Sequence, residues 1–314
     1  MRVGVDGRSL AGERRGVGHY TAGMLEALRA LDVDVKVLVP RARQGRPRLD
    51  RKLAPADVLW LPAPAPVAIG GGTPYVLTLH DLSFLERRQD FTRYERLWHR
   101  LARIDALVHG AAAVVALTGD TARRAAAHFG VNVSVVSGGP GDPGPPAEPD
   151  TRFGRYFLYV GALEPRKALD RLGAARDGQT LVLAGEGRLA DALRGPGVHV
   201  LGRVDPAEKA ALYTGAIAVV LPSWGEGYGY PPLEGFAHGT PAIVSDIPAL
   251  RETAGAGALY VPPGDVAGLA SAMHALATDE ALRARLADGG RNALRDRTWE
   301  SAGRALKAVL EAAA

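Results

Sequence analysis

Two series of short apolar runs, separated by a stretch rich in glycine and proline, constrain the fold of this chain more than any other feature. Each series alternates β-branched runs with helical segments, a pattern that predicts a parallel sheet covered by helices. The stretch between them, residues 137–150, holds nine glycines or prolines in fourteen positions, which neither a helix nor a strand accommodates. The predicted strands are residues 1–5, 33–39, 57–61, 75–80, 112–118 and 131–137, then 157–162, 180–185, 198–202, 216–223, 241–245 and 258–261.

The sequence therefore predicts an α/β protein made of two doubly wound domains. A length of 314 residues with 47% apolar composition is sufficient for two cores. Ligands of open parallel sheets bind beyond the carboxyl ends of the strands, so we expect the chemistry there, at a cleft between the domains. The expected boundaries are 1–140 for the first domain, 141–151 for a linker, 152–296 for the second domain, and 297–314 for a terminal helix that packs back towards the first domain.

Composition narrows the class of protein. No apolar run reaches the roughly 18 to 20 residues of a membrane helix, and the N-terminus lacks the apolar core of a signal peptide. With no cysteine there is neither a disulfide framework nor thiolate chemistry, and a cytoplasmic location is expected. The basic segment 41–52 is interpreted either as a solvated loop or as a contact for an anionic partner, including the inner face of a membrane. No nucleic-acid-binding signature is present.

The segment EGYGYPPLE, residues 226–234, has the most informative spacing. It follows an apolar run that reads as a buried strand, and its prolines suit the first turn of a helix containing Glu234. Strand, glycine loop and helix start therefore follow one another, an order that brings backbone amides close to phosphates and sugars. Glu234 alone is explained as a partner of the helix dipole, but Glu226 lies before the glycines and has no such explanation. Two carboxylates flanking such a loop are suited to binding the hydroxyls of a nucleotide-sugar.

Adjacent cations occur in VGALEPRKALDRL, residues 160–172. Arg166 and Lys167 come just after a predicted strand and are expected at the opening of a helix, where two cations and helix amides favour a diphosphate. The alternative is a surface pair without a ligand.

Two features of the first domain have similar alternatives. Gly16 and Gly18 open a predicted helix after the first strand, as an anion site or as a simple turn. His80 ends another strand, as a partner of sugar hydroxyls or as a structural histidine. The motifs of serine hydrolases, metalloproteases and P-loop kinases are absent from the sequence.

Taken together, EGYGYPPLE, VGALEPRK, GRVDPAEKAALY and GTPAIVSDIPALRE resemble the retaining GT-B glycosyltransferases of family four. The resemblance runs nearly from end to end, from GVGHYT to the helix that begins at Trp299. It implies the GT-B fold, with two Rossmann-like domains facing a cleft, and transfer of a sugar from a nucleotide donor. The motifs LEPRK and EGYGYPPLE are most similar to a subgroup of mannosyltransferases that use GDP-mannose.

The resemblance implies roles for individual residues. Arg166 and Lys167 would neutralise the donor diphosphate, Glu226 would contact the transferred sugar and Glu234 the ribose, with His80 on the sugar hydroxyls. The remaining donor-binding residues are Gly16, Val17 and Gly18 on the diphosphate, Arg203 and Val204 at the base, and Gly227, Tyr228, Gly229 and Tyr230 at the sugar and phosphate.

The resemblance implies no metal and no cofactor, because the cations and helix amides replace a divalent ion. It implies retention by front-face attack, in which the departing phosphate deprotonates the acceptor hydroxyl. The partners would be GDP-mannose or a UDP-hexose, and a glycan or lipid-linked acceptor.

Several positions depart from the family pattern. Tyr228 and Tyr230 replace a usual Phe and Leu and are expected to add hydroxyls near the sugar. ALTGDTARR at 116–124 and SGGPGD at 137–142 replace other usual segments, so the acceptor is not identified. Two further hypotheses are an epimerase or phosphorylase of the same fold, and a nucleotide-sugar-binding protein without catalysis.

Overall fold

The computed structural model describes residues 1–10, 16–38, 48–49, 55–70 and 72–314. The chain divides into two compact units. Unit 1 comprises Met1–Gly139 together with Arg297–Ala314, and unit 2 comprises Pro140–Asp296. Of the basic segment 41–52, only residues 48 and 49 belong to the described residues. No described helix is long and apolar enough to cross a membrane.

Unit 1 is built on a parallel sheet of six strands in the order β2-β1-β4-β6-β7-β8. It also contains a separate two-stranded parallel sheet, β3-β5. Its strands are β1 Arg2–Asp6, β2 Asp34–Leu38, β3 Arg48–Leu49, β4 Val58–Leu61, β5 Ala68–Ile69, β6 Tyr75–Leu79, β7 Ala113–Ala116 and β8 Val133–Val135. Its α-helices are α1 Gly16–Ala30, α2 Ser83–Glu86, α3 Arg93–Ala102, α4 Ile104–Gly110, α5 Gly119–Phe129 and, from the end of the chain, α12 Trp299–Ala313.

Unit 2 has a second parallel sheet, in the order β11-β10-β9-β12-β13-β14. The strands are β9 Tyr156–Val160, β10 Thr180–Ala184, β11 Val198–Gly202, β12 Ala218–Leu221, β13 Ala242–Ser245 and β14 Ala258–Val261. The helices are α6 Leu169–Ala175, α7 Pro206–Gly215, α8 Tyr230–Ala237, α9 Pro248–Ala254, α10 Val266–Thr278 and α11 Glu280–Leu294. The twelve strands predicted from apolar runs are confirmed; β3 and β5 are additional.

The central strands of both sheets are apolar at nearly every position, as expected for parallel sheets that helices cover on both faces. All residues of β4, β6, β12 and β13 are buried. The indole of Trp60 in β4 is paired inside this core, where its N–H donates to Oγ1 of Thr78 at 3.0 Å.

Helix α12 lies in unit 1, although it follows unit 2 in the sequence. It packs on α1, and its first residue, Trp299, contacts two glycines. A Cβ atom at Gly23 would lie 2.5 Å from the Trp299 ring, and one at Gly139 would lie 2.4 Å from it, so neither position accepts a side chain. Gly139 is the last residue of unit 1 before the chain enters unit 2, and Trp299 lies just after the chain returns to unit 1. The contact between them therefore holds together the two points where the chain leaves and re-enters unit 1.

Candidate functional site

The strand order of unit 2 reverses between β9 and β12. Strands β10 and β11 extend the sheet on one side of β9, and β12, β13 and β14 extend it on the other. Because β9 and β12 are parallel neighbours, their carboxyl ends lie side by side at one edge. Doubly wound folds bind ligands at such a switch point. The loops that leave it carry Arg166 and Lys167 after β9, and Glu226 after β12.

Lys167 and Glu226 form a buried ion pair at this point. The Lys167 ammonium donates to Oε1 of Glu226, and each side chain is only 10% exposed. The Ser223 hydroxyl donates to the same oxygen at 2.6 Å. The other oxygen of Glu226, Oε2, has no hydrogen-bond partner within the ranges of residues described above. It is therefore the oxygen that can accept from a bound molecule.

Arg166 differs from its neighbour Lys167. The two lie in a short 3-10 turn, Pro165–Lys167, and Ala168 with φ of 51° separates this turn from α6. The sequence analysis predicted both cations at the opening of a helix, whereas the structure places them in a turn that precedes the helix. The carbonyl of Arg166 accepts from the N–H of Trp224 at 3.0 Å, which ties the two loops together. Its guanidinium forms no ion pair with the part of the chain that the structure describes, so this cation is available to an anion.

The glycine loop leads from Glu226 into α8 as predicted, with Pro231 and Pro232 in the first turn. Gly229 adopts φ of 81°, and a Cβ atom there would lie 2.4 Å from Leu250, so glycine is required on both grounds. The rings of Tyr228 and Tyr230 lie 4.8 Å apart, Tyr228 is buried, and the hydroxyl of Tyr230 is also buried. The two tyrosines therefore contribute to the interior of unit 2.

Glu234 is buried on α8 and both of its oxygens accept from the protein. Oε1 accepts from the main-chain N–H of Asp142 at 3.0 Å. Oε2 accepts from the Tyr213 hydroxyl at 2.8 Å and lies 3.3 Å from the Lys209 ammonium. Burial, and then the charge of Glu234, raise the pKa of Tyr213 well above its ordinary value, so this hydroxyl remains a donor. The Lys209 ammonium also donates to the carbonyl of Asp142.

Arg203 and Val204 follow β11 at the same edge of the sheet. The Arg203 guanidinium donates to Oε2 of Glu186 at 2.9 Å, and Glu186 follows β10. Both side chains of this pair are exposed, so salt screens it and it contributes little to stability. The edge thus carries an exposed ion pair after β10 and β11, next to the buried pair of Lys167 and Glu226 after β9 and β12.

In unit 1 the structure brings His80 close to α1, whose first residues are Gly16, Val17 and Gly18. Tyr20 of α1 meets the His80 ring edge to face, with 4.9 Å between ring centres. His80 Nε2 lies 2.8 Å from the carbonyl of Pro62, to which it donates. Burial lowers the pKa of His80, so the neutral imidazole is favoured.

Apart from Lys167, the groups that hold the two glutamates were not singled out from the sequence. They are Ser223 at Glu226, and Asp142, Lys209 and Tyr213 at Glu234. A signal was present for one pair, because Lys209 and Tyr213 are four residues apart in α7 and therefore share a helix face. Asp142 donates through its main chain, which no residue pattern reveals.

Residues 154–279 match the model of the family described as glycosyl transferases group 1. The chain is 38% identical over 175 residues to a glycogen synthase of Mycobacterium tuberculosis, covering 50% of this chain and 42% of that protein. It is 34% identical over 201 residues to a phosphatidyl-myo-inositol mannosyltransferase of Mycobacterium leprae, covering 59% and 52%. The chain thus spans about half the length of these curated relatives.

Among solved structures, the sucrose-phosphate synthase of Thermosynechococcus elongatus superposes with a TM-score of 0.78. The sequence identity is 16%, and the match covers 99% of this chain and 98% of that one. This likeness concerns the fold, and it confirms the GT-B architecture predicted for the chain.

Proposed function

We propose that the chain is a glycosyltransferase with its donor site in unit 2, since residues 154–279 match the model of the glycosyl transferases group 1 family. The observation that carries the proposal is the group of Arg166, Lys167 and Glu226 at the switch point of a doubly wound sheet. Arg166 has no ion pair among the described residues, and Glu226 has one oxygen without a partner among them, so the two suit the two ends of a sugar diphosphate. The acceptor in this proposal is a hydroxyl of a glycan or glycolipid.

The transferred group is a hexose, with mannose from GDP-mannose as the first candidate. The mannosyltransferase relative and the LEPRK motif support mannose. The glycogen synthase relative supports the alternative, UDP-glucose or another nucleotide-hexose. The proposal includes a cytoplasmic location, supported by the absence of cysteine, and a peripheral membrane contact, supported by the basic residues of the sequence.

The proposed reaction retains the anomeric configuration and uses no metal. The bond from the anomeric carbon to the diphosphate breaks, and the bond to the acceptor oxygen forms on the same face. The acceptor proton passes to the departing phosphate oxygen, so no protein nucleophile is required. Arg166 and Lys167 stabilise the negative charge that develops on the diphosphate, which is often the largest catalytic effect. Oε2 of Glu226 accepts from a hydroxyl of the sugar and positions its anomeric carbon.

The buried partners of Glu234 motivate a second candidate. A carboxylate with donors on both oxygens has less capacity left for ribose hydroxyls, so a donor can bind without the ribose contact that would position it for transfer. Under this candidate the chain binds a nucleotide-sugar and transfers nothing. Donor binding measured by calorimetry, with no transfer or hydrolysis across a panel of hydroxyl acceptors, would support the second candidate over the first.

A thermal-shift screen tests the donor prediction. We expect GDP and GDP-mannose to raise the melting temperature more than UDP, UDP-glucose and UDP-N-acetylglucosamine, because a ligand that binds the folded state stabilises it. At a concentration about a hundredfold above Kd the stabilisation is about 2.7 kcal/mol. The matched control is Arg166→Ala, which removes the available cation, breaks no ion pair among the described residues and should abolish the shift. A larger shift with the uridine nucleotides would reverse the order of donors, and no shift with any would contradict a donor site.

A further inference from the structure

Helix α3 of unit 1 exposes large apolar side chains in a pattern. Five large hydrophobic residues are exposed among the described residues, and three of them lie on this one helix: Tyr94 at 75%, Leu97 at 44% and Leu101 at 46%. Their spacing of three and four residues places them on one face of the helix. Apolar side chains that are scattered singly on a surface need no explanation, but a continuous stripe marks an interaction site.

Arginines border the apolar stripe. Arg93, Arg96 and Arg100 are exposed on the same helix, and none of the three forms an ion pair with a residue that the structure describes. The only acid of the helix, Glu95, is engaged at its start, where Oε2 accepts from the N–H of Thr92 at 2.7 Å and from its hydroxyl at 2.8 Å. The exposed face of α3 is therefore cationic along one side and apolar along the other.

The opposite face holds the helix in place. His99 contacts the rings of Phe91 and Phe84, with centres 5.0 and 5.6 Å apart, Trp98 packs on the core and Ala102 is buried. Thr92 and Glu95 form a reciprocal cap at the first turn. Because packing and capping hold α3 in place, its exposed side chains keep a fixed arrangement on the surface of unit 1.

We propose that α3 is an interfacial helix, which inserts Tyr94, Leu97 and Leu101 into the surface of an anionic lipid bilayer. A helix with a strongly cationic side, low overall hydrophobicity and aromatic and leucine residues on the other side has the composition of helices that lie in the plane of a membrane. The arginines contact the phosphates and anionic headgroups, and the apolar side chains enter the boundary of the acyl chains. A second copy of the chain packed through the same face fits less well, because the one acid of α3, Glu95, is engaged at the helix start and offers no row of carboxylates to the arginines.

The proposal assigns the lipid contact to residues outside the basic segment 41–52. It also stands apart from the donor site, because every residue that carries it belongs to unit 1. Loss of lipid binding and loss of donor binding are therefore separable results.

Flotation of the full chain with phosphatidylcholine vesicles, prepared with and without phosphatidylglycerol, tests the proposal. We expect the wild type to float only with vesicles that contain phosphatidylglycerol. Each arginine near an anionic surface contributes an attraction that salt screens, so Arg96→Glu/Arg100→Glu should weaken binding at least roughly tenfold. Leu97→Asp/Leu101→Asp should abolish flotation even in low salt, because the acyl contact is lost.

Matched variants separate the helix from general effects. Arg29→Glu/Arg285→Glu makes the same change in net charge at two exposed arginines elsewhere, and Val135→Asp alters an exposed valine that is not on α3. Both should float as the wild type does. Circular dichroism and the melting temperature check that each variant is folded. The proposal is overturned if the wild type does not bind the anionic vesicles, if a folded Leu97→Asp/Leu101→Asp protein still floats, or if the control variants lose binding equally.

Discussion

Replacing Lys167 or Glu226 with alanine is expected to reduce the rate of sugar transfer at least roughly a hundredfold, as the loss of one preorganised electrostatic group does in other enzymes. Each single variant should also unfold more easily. The two side chains are 10% exposed, so removal of one leaves the other as a buried charge without its counterion. Breaking a buried ion pair in this way destabilises a protein by about 3–5 kcal/mol. Initial rates and chemical denaturation measure the two effects.

The double variant Lys167→Met/Glu226→Gln separates the two effects. It removes both charges with little change in volume, so we expect the free energy of unfolding to return towards that of the wild type. The rate should stay low, since neither the cation nor the carboxylate is restored. A second variant, Arg166→Ala, breaks no ion pair with any residue that the structure describes and should lose activity at nearly unchanged stability. Near-wild-type rates in a folded double variant would show that the pair is structural only.

Glu234→Ala is expected to have the second-largest effect, on stability and on donor affinity together. The substitution leaves the Lys209 ammonium, which is 13% exposed, without its carboxylate, and removes the acceptor of the Tyr213 hydroxyl and of the Asp142 N–H. We expect a loss of about 3–5 kcal/mol in the free energy of unfolding. If Glu234 also binds ribose, donor affinity falls as well, which calorimetry at a temperature below the transition would detect.

Glu208→Ala is the matched control for this prediction. Glu208 lies on α7 beside Lys209, and its carboxylate pairs with Arg152 at 2.7 Å at the surface. Exposed pairs are screened by solvent, so this variant should keep the stability and the donor affinity of the wild type. If Glu234→Ala and Glu208→Ala had the same free energy of unfolding, the hydrogen bonds around Glu234 would not contribute to stability. Loss of stability with unchanged donor affinity would assign Glu234 a structural role only.

The fold followed from the sequence because parallel strands buried on both faces are apolar throughout. Strands such as β4 and β12 therefore stand out as short apolar runs. The strands β3 and β5 were missed, because two residues are too few to show any periodicity. The start of α8 was predicted correctly, because proline is favoured in the first turn of a helix and disfavoured in its interior.

The positions of the candidate residues in unit 2 followed from the sequence more fully than the bonds between them. Loop order after β9 and β12 was enough to place Lys167 and Glu226 at one edge of the sheet. Lys167 and Glu226 form a buried ion pair, whereas Arg166 forms none with the described part of the chain. This difference depends on tertiary packing, which two adjacent cations in a sequence cannot reveal. The bond from Asp142 to Glu234 joins residues 92 positions apart and uses a main-chain donor, so side-chain identity carries no signal for it.

Release of nucleoside diphosphate, measured together with the sugar product, tests the central claim most directly. GDP-mannose and UDP-glucose would be offered with a panel of hydroxyl acceptors to the wild type and to the folded Lys167→Met/Glu226→Gln protein. We expect acceptor-dependent release by the wild type, a product with the anomeric configuration of the donor, and a rate at least roughly a hundredfold lower for the variant. Equal rates for the two proteins, or donor binding by the wild type with no release for any acceptor, would contradict it.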